Sequence, residues 1–370
     1  MAFNIPLRQE VEYKRPGEWP TIINNDNEVT FLVSNLGDTN PVYALDLRNS
    51  GTGNIYINWG DGTTDIATSS TTTTFSHTYS DATGTLISND PKYSPYRIWT
   101  IKVTKDASAT IATCRPKRPT TFGNQRSGYL EAIYGTGTQT DTLSELFSAD
   151  FAGYTYITYR YLRYIKLPAS VPTLTAISSL TRTSVSGYQT FSDLEKLELP
   201  TSMPNLTNVS YIISNTSGWN LKKLTFPSNC NLYNYGLAFE SCGIQNFIFP
   251  PCNQPTQTLG LSQAFQGSRN LETVDMSAIT SALNVNLSTT FDTCIKLNKI
   301  VSPTVASPMT VTNLSTTFQN TFSLKKIDLS WLNWSTNTTI SNIFQSSGVE
   351  TVTLPSQQAT ALTSIATAFN

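Results

Sequence analysis

The sequence predicts a mainly β protein with short helical turns, divided into a β-sandwich and a repeat solenoid. Three observations predict it. Alternating apolar runs separated by turn residues fill the region from 27 to 105. Apolar anchors then recur at Leu162, Leu194, Leu221, Ile244, Leu271, Leu297, Leu324 and Val349, the last six intervals being 27, 23, 27, 26, 27 and 25 residues. In step with them runs a second ladder, Phe239, Phe265, Phe291, Phe318, Phe344 and Phe369, at intervals of 26, 26, 27, 26 and 25. Units this regular cannot each bury an apolar face alone, so they must stack.

Residues 1–26 read as a docking arm. Pro6, Pro16, Gly17 and Pro20 punctuate it, and charges cluster between Arg8 and Arg15. Such a segment is either a plain loose terminus or an arm ordered by a partner. Trp19 is its candidate docking residue, because aromatic anchors dominate interface energetics.

Residues 27–105 alternate with strand periodicity. Val29–Val33, Ala44–Leu47, Ile55–Trp59, Thr72–Tyr79 and Tyr96–Val103 are the expected strands, and many short strands of this kind indicate a sandwich. Gly60-Asp61-Gly62 supplies a tight turn, its glycines permitting positive φ. His77 is the chain's single histidine. With no second His and no Cys or carboxylate cluster beside it, packing is favoured over metal binding. Asp61 is expected to cap the turn. A calcium site is the alternative, but Asp61 and Asp65 lack the ligand string of a loop site.

Residues 106–128 read as a linker. Its most basic run is Arg115-Pro116-Lys117-Arg118-Pro119, and prolines on both sides favour a stiff extended segment over a nuclear-targeting signal.

The solenoid runs from 129 to 370. After each anchor comes an apolar residue at +3 and usually at +5, as in Leu194/Leu197/Leu199, Leu221/Leu224/Phe226, Ile244/Phe247/Phe249 and Leu324/Ile327/Leu329. That spacing predicts a short strand with one buried face. Leu261, Leu287, Leu314 and Ile340 each precede their phenylalanine by four, which predicts one or two helical turns. The first copies are irregular and include the cluster Tyr154, Tyr156, Tyr159, Tyr161 and Tyr164, as capping units usually are. The last copy, Val349/Val352/Leu354 with Phe369, reads as incomplete, so further chain or a neighbouring molecule is expected to cover its edge.

Composition narrows the function classes. Only 13% of residues are charged and the net charge is −1, so electrostatic capture of nucleic acid or an anionic membrane has no support. No stretch is long and apolar enough to span a membrane, and residues 1–20 show no secretory signal; work outside a cell would need another exit route, such as release within a lytic particle. Cys242 and Cys294 each fall three residues after a ladder phenylalanine, where other copies have Ser268, Thr321 and Ser347. That slot wants a small buried side chain. Two repeats separate the pair, about 10 Å at ~4.8 Å per strand, too far for a disulfide. All five cysteines therefore read as thiols, with neither a disulfide framework nor zinc spacing.

Two resemblances follow from motifs. Trp59-Gly60-Asp61-Gly62-Thr63, then His77-Thr78-Tyr79, then the closing strand from Tyr96 to Val103 resemble the PKD domain, an immunoglobulin-like spacer and adhesion module. Residues 80–95 depart from it and imply an extra loop. Leu221-Lys222-Lys223-Leu224-Thr225-Phe226-Pro227 followed by Ala238-Phe239-Glu240-Ser241-Cys242 resembles the BspA-type leucine-rich repeat of bacterial surface proteins.

No nucleophile elbow, phosphate loop or dinucleotide fingerprint occurs, and a catalytic triad would have to recruit His77. The expectation is a non-enzymatic chain with no catalytic, cofactor or metal residues. The combination of modules resembles a structural or attachment component of a bacteriophage particle: a capsid decoration, head fibre or tail fibre protein. It would dock to other virion proteins through the arm and sandwich, and could self-associate. The repeats would be offered to a host surface protein or glycan. A bacterial cell-surface adhesin is the alternative, and a carbohydrate-active enzyme a third reading.

Overall fold

The computed structural model describes residues 28–34, 42–80, 83–87, 96–117, 131–133, 164–166, 175–177, 194–214 and 220–354. The arm with Trp19, the tyrosines from Tyr154 to Tyr161 and Phe369 lie outside these residues. The described chain is all-β, with antiparallel sheets followed by a β-solenoid and no helix.

Strands β1 (Glu28–Ser34), β2 (Val42–Asn49), β3 (Ile55–Asn58), β4 (Thr64–Ala67), β5 (Thr73–Thr78), β6 (Thr85–Ile87), β7 (Tyr96–Lys105) and β8 (Ile111–Lys117) pair antiparallel. One sheet orders β1-β7-β3-β4, with β6 also on β7; the other orders β5-β2-β8. Period-two alternation turns Phe31, Leu45, Leu47, Ile55, Ile57, Ile101 and Val103 into a shared core. Two expectations need correction. Residues 111–117, read as linker, form β8 and pair with β2 from Ala44↔Lys117 to Asn49↔Ile111. Pro116, one of the prolines that suggested a linker, is compatible with an edge strand, where a missing N–H breaks no ladder. The expected extra loop at 80–95 contains β6, which extends the first sheet.

The solenoid opens with β9 (Glu131–Ile133), β10 (Tyr164–Lys166) and β11 (Lys196–Glu198), which run parallel in the register Ala132↔Ile165↔Leu197. On its other side β9 pairs antiparallel with β1, Phe31 facing Ala132. One sheet thus continues from the first region into the repeats, and the first repeat strand has no open edge.

The later coils combine a short strand, a longer strand and a double turn, the last coil being described only through its short strand. The short strands are β12 (Asn246–Ile248), β14 (Thr273–Asp275), β16 (Lys299–Val301), β18 (Lys326–Asp328) and β20 (Thr351–Thr353). Phe247, Val274 and Ile327, the +3 residues, point inward between exposed or half-exposed neighbours. The longer strands β13 (Cys252–Gly260), β15 (Ile279–Asn286), β17 (Met309–Asn313) and β19 (Leu332–Thr339) stack as one parallel sheet. The expected strand at Leu221–Phe226 is different: its apolar positions are buried alternately, but the segment joins no sheet.

The expected helical turns are absent. Leu261 to Ser268 instead makes two successive four-residue turns, with Ala264 N–H donating to Leu261 O (3.0 Å) and Ser268 N–H to Phe265 O (3.0 Å). The third residue of each turn, Gln263 and Gly267, has positive φ (57° and 72°). The next coils repeat this at Thr289 and Thr293, Thr316 and Asn320, and Asn342 and Ser346. Two four-residue turns reproduce an i, i+4 spacing as well as a helix does, which is why the apolar pattern misleads. The remaining N–H groups are committed along the stack: Leu261, Gln263, Phe265 and Gly267 donate to Asn286, Ser288, Thr290 and Asp292 of the next coil at 2.8–3.0 Å.

Inside this corner the phenylalanines form one column. Ring centroids are 5.1 Å apart for Phe239–Phe265, 5.7 Å for Phe265–Phe291 and Phe291–Phe318, and 5.6 Å for Phe318–Phe344, the last three pairs within about 10° of parallel. The slot three residues on is small throughout and buried at Cys242, Ser268, Cys294 and Thr321, with Ser347 half-buried: Ser268 Oγ donates to Phe239 O (2.6 Å) and Cys294 Sγ to Phe265 O (3.0 Å). An asparagine opens most turns, its side-chain oxygen taking the N–H two residues on: Asn208 from Ser210, Asn234 from Gly236, Asn286 from Ser288 and Asn313 from Ser315. Gly260 occupies that place in one coil.

Two stability measurements check this account. Phe291→Ala, which removes a ring stacked on both sides, should cost about 3–5 kcal/mol in urea denaturation, whereas Leu283→Ala, more than half exposed, should stay within ~0.5 kcal/mol. Gly260→Asn should stabilise by about 0.5–1.5 kcal/mol by supplying the missing turn acceptor. A Cβ there would meet its nearest heavy atom at an ordinary 3.5 Å. A destabilised variant would contradict the proposed role of the asparagines.

Candidate functional site

The candidate residues around Trp59 converge on one cluster. β3 ends at Asn58, and the chain reverses through Gly60-Asp61-Gly62 into β4, with Trp59 N–H donating to Thr63 O (3.1 Å). Gly60 has φ +85°, and a Cβ there would lie 2.5 Å from the Thr100 carbonyl oxygen, so only glycine fits. β5 runs past this turn and delivers His77 to it.

The side chains of Asp61, Thr63 and His77 are bonded to one another. Asp61 Oδ1 accepts from the Thr63 N–H (3.0 Å) and hydroxyl (2.6 Å). Its Oδ2 lies 2.7 Å from His77 Nε2. A carboxylate only accepts, so Nε2 carries the proton. Asp65 Oδ2 accepts from the Trp59 indole N–H (2.9 Å). Burial pushes the Asp61 carboxyl up, but the bonds from Thr63 and His77 outweigh it and hold the group below the ordinary carboxylate value. Aromatic rings complete the cluster: His77 stacks on Trp59 (5.1 Å, 18°) and meets Tyr79 edge-on (4.7 Å), and Tyr79 stacks on Trp99 (4.5 Å). The buried Tyr79 hydroxyl donates to Trp59 O at 2.7 Å.

This geometry locks the turn. Both oxygens of Asp61 and the facing oxygen of Asp65 are already bonded within the protein, which leaves the pair poorly placed to share a cation. Among the described residues no group of three His, Cys, Asp or Glu side chains could hold a metal. The cysteines are equally committed. All five are free and buried, and burial pushes the Cys230 and Cys252 thiols up to about 11 and raises those of Cys242 and Cys294. Burial thus favours the protonated thiol at these positions.

The four-stranded sheet of the solenoid is the feature that sequence reasoning missed. The sheet β13-β15-β17-β19 turns a row of side chains outward: Thr258, Asn284, Thr310 and Asn333 align in register. Thr258, Thr310 and Asn333 are exposed and Asn284 half-exposed. The signal was the apolar-polar alternation in Met309-Thr310-Val311-Thr312-Asn313, hidden because its Thr and Asn residues look like loop composition. No family model matches the chain, and no curated protein or solved structure matches it either.

The pH dependence of the Asp61 lock is directional. A carboxyl held below its unfolded value, about 3.9, adds stability that is fully present above that value and is lost as pH falls through the lower folded value. Asp61→Asn should therefore melt below the parent by a constant margin above about pH 5, and the margin should shrink progressively under about pH 4. A margin unchanged down to pH 2.5 would show that the charge of Asp61 does not matter.

Proposed function

We propose that this chain is a non-enzymatic structural or attachment component of a bacteriophage particle, a capsid decoration, head fibre or tail fibre protein residing in the virion. In this reading the antiparallel sheets around the Trp59 turn are a PKD-type immunoglobulin-like sandwich. The coils are a divergent leucine-rich repeat in which paired left-handed turns replace the helical segment. The arm and the sandwich dock to other virion proteins, Trp19 anchoring the arm, and the repeats project a rigid surface. No cofactor is needed.

The observation that carries the proposal is that the strongest polar and aromatic constellations are spent on holding shape. Asp61, His77 and Tyr79 fasten a turn, and the Phe239–Phe344 column fastens the coils. What remains to act is a surface. The five buried free thiols favour a particle over an exported adhesin. Thiols persist where folding occurs in a reducing cytosol, as it does for a virion protein made before lysis, whereas secreted proteins tend to oxidise theirs.

The test is electron microscopy of particles produced with and without this gene product. Discrete density should be missing from the particles that lack it, and antibody raised against residues 220–354 should decorate only those that carry it. Identical particles, with no antibody labelling of the complete ones, would overturn the proposal.

A further inference from the structure

The coils do not present equivalent faces. The short-strand side and the turns carry the charges of the repeats, among them Asp275, Lys299, Lys326, Asp328, Asp292 and Glu350. Ion pairs form there, as between Lys325 and Glu350 (2.9 Å). The long-strand sheet is different. Its strands β13, β15, β17 and β19, of 9, 8, 5 and 8 residues, contain no Asp, Glu, Lys or Arg at all. A quarter to a third of a soluble surface is usually charged, so a sheet this size without one charge has a distinct chemistry.

Its outward groups are hydroxyls and amides. Thr258, Asn284 and Thr310 form one register row and make no side-chain hydrogen bond to another described residue. Thr280 and Thr312, by contrast, donate to Cys252 O and Val285 O of the preceding coil, which fixes the sheet beneath. Amid these polar groups Leu283 is 52% exposed, an apolar contact beside the row. Parallel strands about 4.8 Å apart repeat the row along the stack. The surface therefore offers neutral donors and acceptors at a fixed spacing, mixed with aliphatic contact. An uncharged polysaccharide has the matching chemistry: hydroxyls that donate and accept, C–H faces that are apolar, and no charge. An acidic polysaccharide or nucleic acid would find no cation in these strands.

We propose that the β13-β15-β17-β19 face is a binding site for an uncharged glycan chain, held by the row Thr258–Asn284–Thr310. This rests on the reading of the repeats as an attachment surface and names the ligand class for it.

The experiment is affinity electrophoresis of the full chain in gels containing dextran, laminarin or galactomannan, with hyaluronan as the charged comparison. At least one neutral polymer should retard the protein, with apparent affinity changing less than twofold between 50 and 500 mM salt, because no ion pair is involved. The double variant Thr258→Arg/Thr310→Arg should lose at least about tenfold in affinity. Since two arginines could disturb folding, Asn284→Ala provides a milder arm, expected to lose two- to fivefold with an unchanged melting temperature. Lys326→Ala on the short-strand sheet should bind like the parent. Retardation by none of the neutral polymers, retardation by hyaluronan alone, or full binding by both row variants would overturn the site. So would dimerisation of the parent in ultracentrifugation that the row variants abolish, which would make a second copy the occupant. Failure here with gene-dependent density still seen on particles would leave the structural role intact, so the two proposals fail separately.

Discussion

The structure depends on one arrangement: a column of phenylalanine rings held in a corner whose backbone bonds run between coils. Phe265 illustrates it. Its ring lies between those of Phe239 and Phe291, while its N–H donates to Thr290 of the next coil. Neither contact exists within a single coil. A residue such as Thr289 or Thr316 sits at positive φ, where a β-branched side chain is unfavourable by about 1–2 kcal/mol. Among the described residues the cooperative stack sustains ten non-glycine residues at positive φ. Stability in this part of the molecule is therefore a property of neighbouring coils, close to the one-dimensional behaviour of other repeat proteins.

The same logic reaches the other end of the molecule. A stack needs an end that does not recruit another strand. Pairing of β1 with β9 supplies one, because the sheet of the first region closes the open edge of the first repeat strand. The Trp59 cluster lies on that same sheet through β3 and β7. Asp61, His77 and Tyr79 hold the turn that follows β3 and so stiffen the platform against which the coils are built.

Much of this was legible in the residues. The 26- to 27-residue ladder of phenylalanines announced a stack, because side chains at a fixed coil length must superpose. The alternation in Ile55-Tyr56-Ile57 and Thr100-Ile101-Lys102-Val103 announced strands. The turn geometry was not legible. Leu261 and Phe265 are four apart in a helix and in paired turns alike, and Thr289 or Leu237 gives no hint of left-handed backbone. Asn286 and Asn313 were the available clue, since asparagine favours a turn stabilised by its own side chain. The long strands were hidden for a related reason: sequences such as Asn284-Val285-Asn286 have loop composition and are strands because β13 and β17 on either side provide the ladder. β8 was obscured by Pro116, which an edge strand tolerates.

The corner bonds run from coil to coil, and hydrogen-bond scalar couplings in a deuterated, isotope-labelled sample report on them. A coupling is expected from the amide nitrogen of Phe291 to the carbonyl carbon of Thr317, 26 residues away, matching the 3.0 Å contact. A coupling from Phe291 to the carbonyl of Leu287, four residues back, would mean a helical turn and would contradict coil-to-coil bonding.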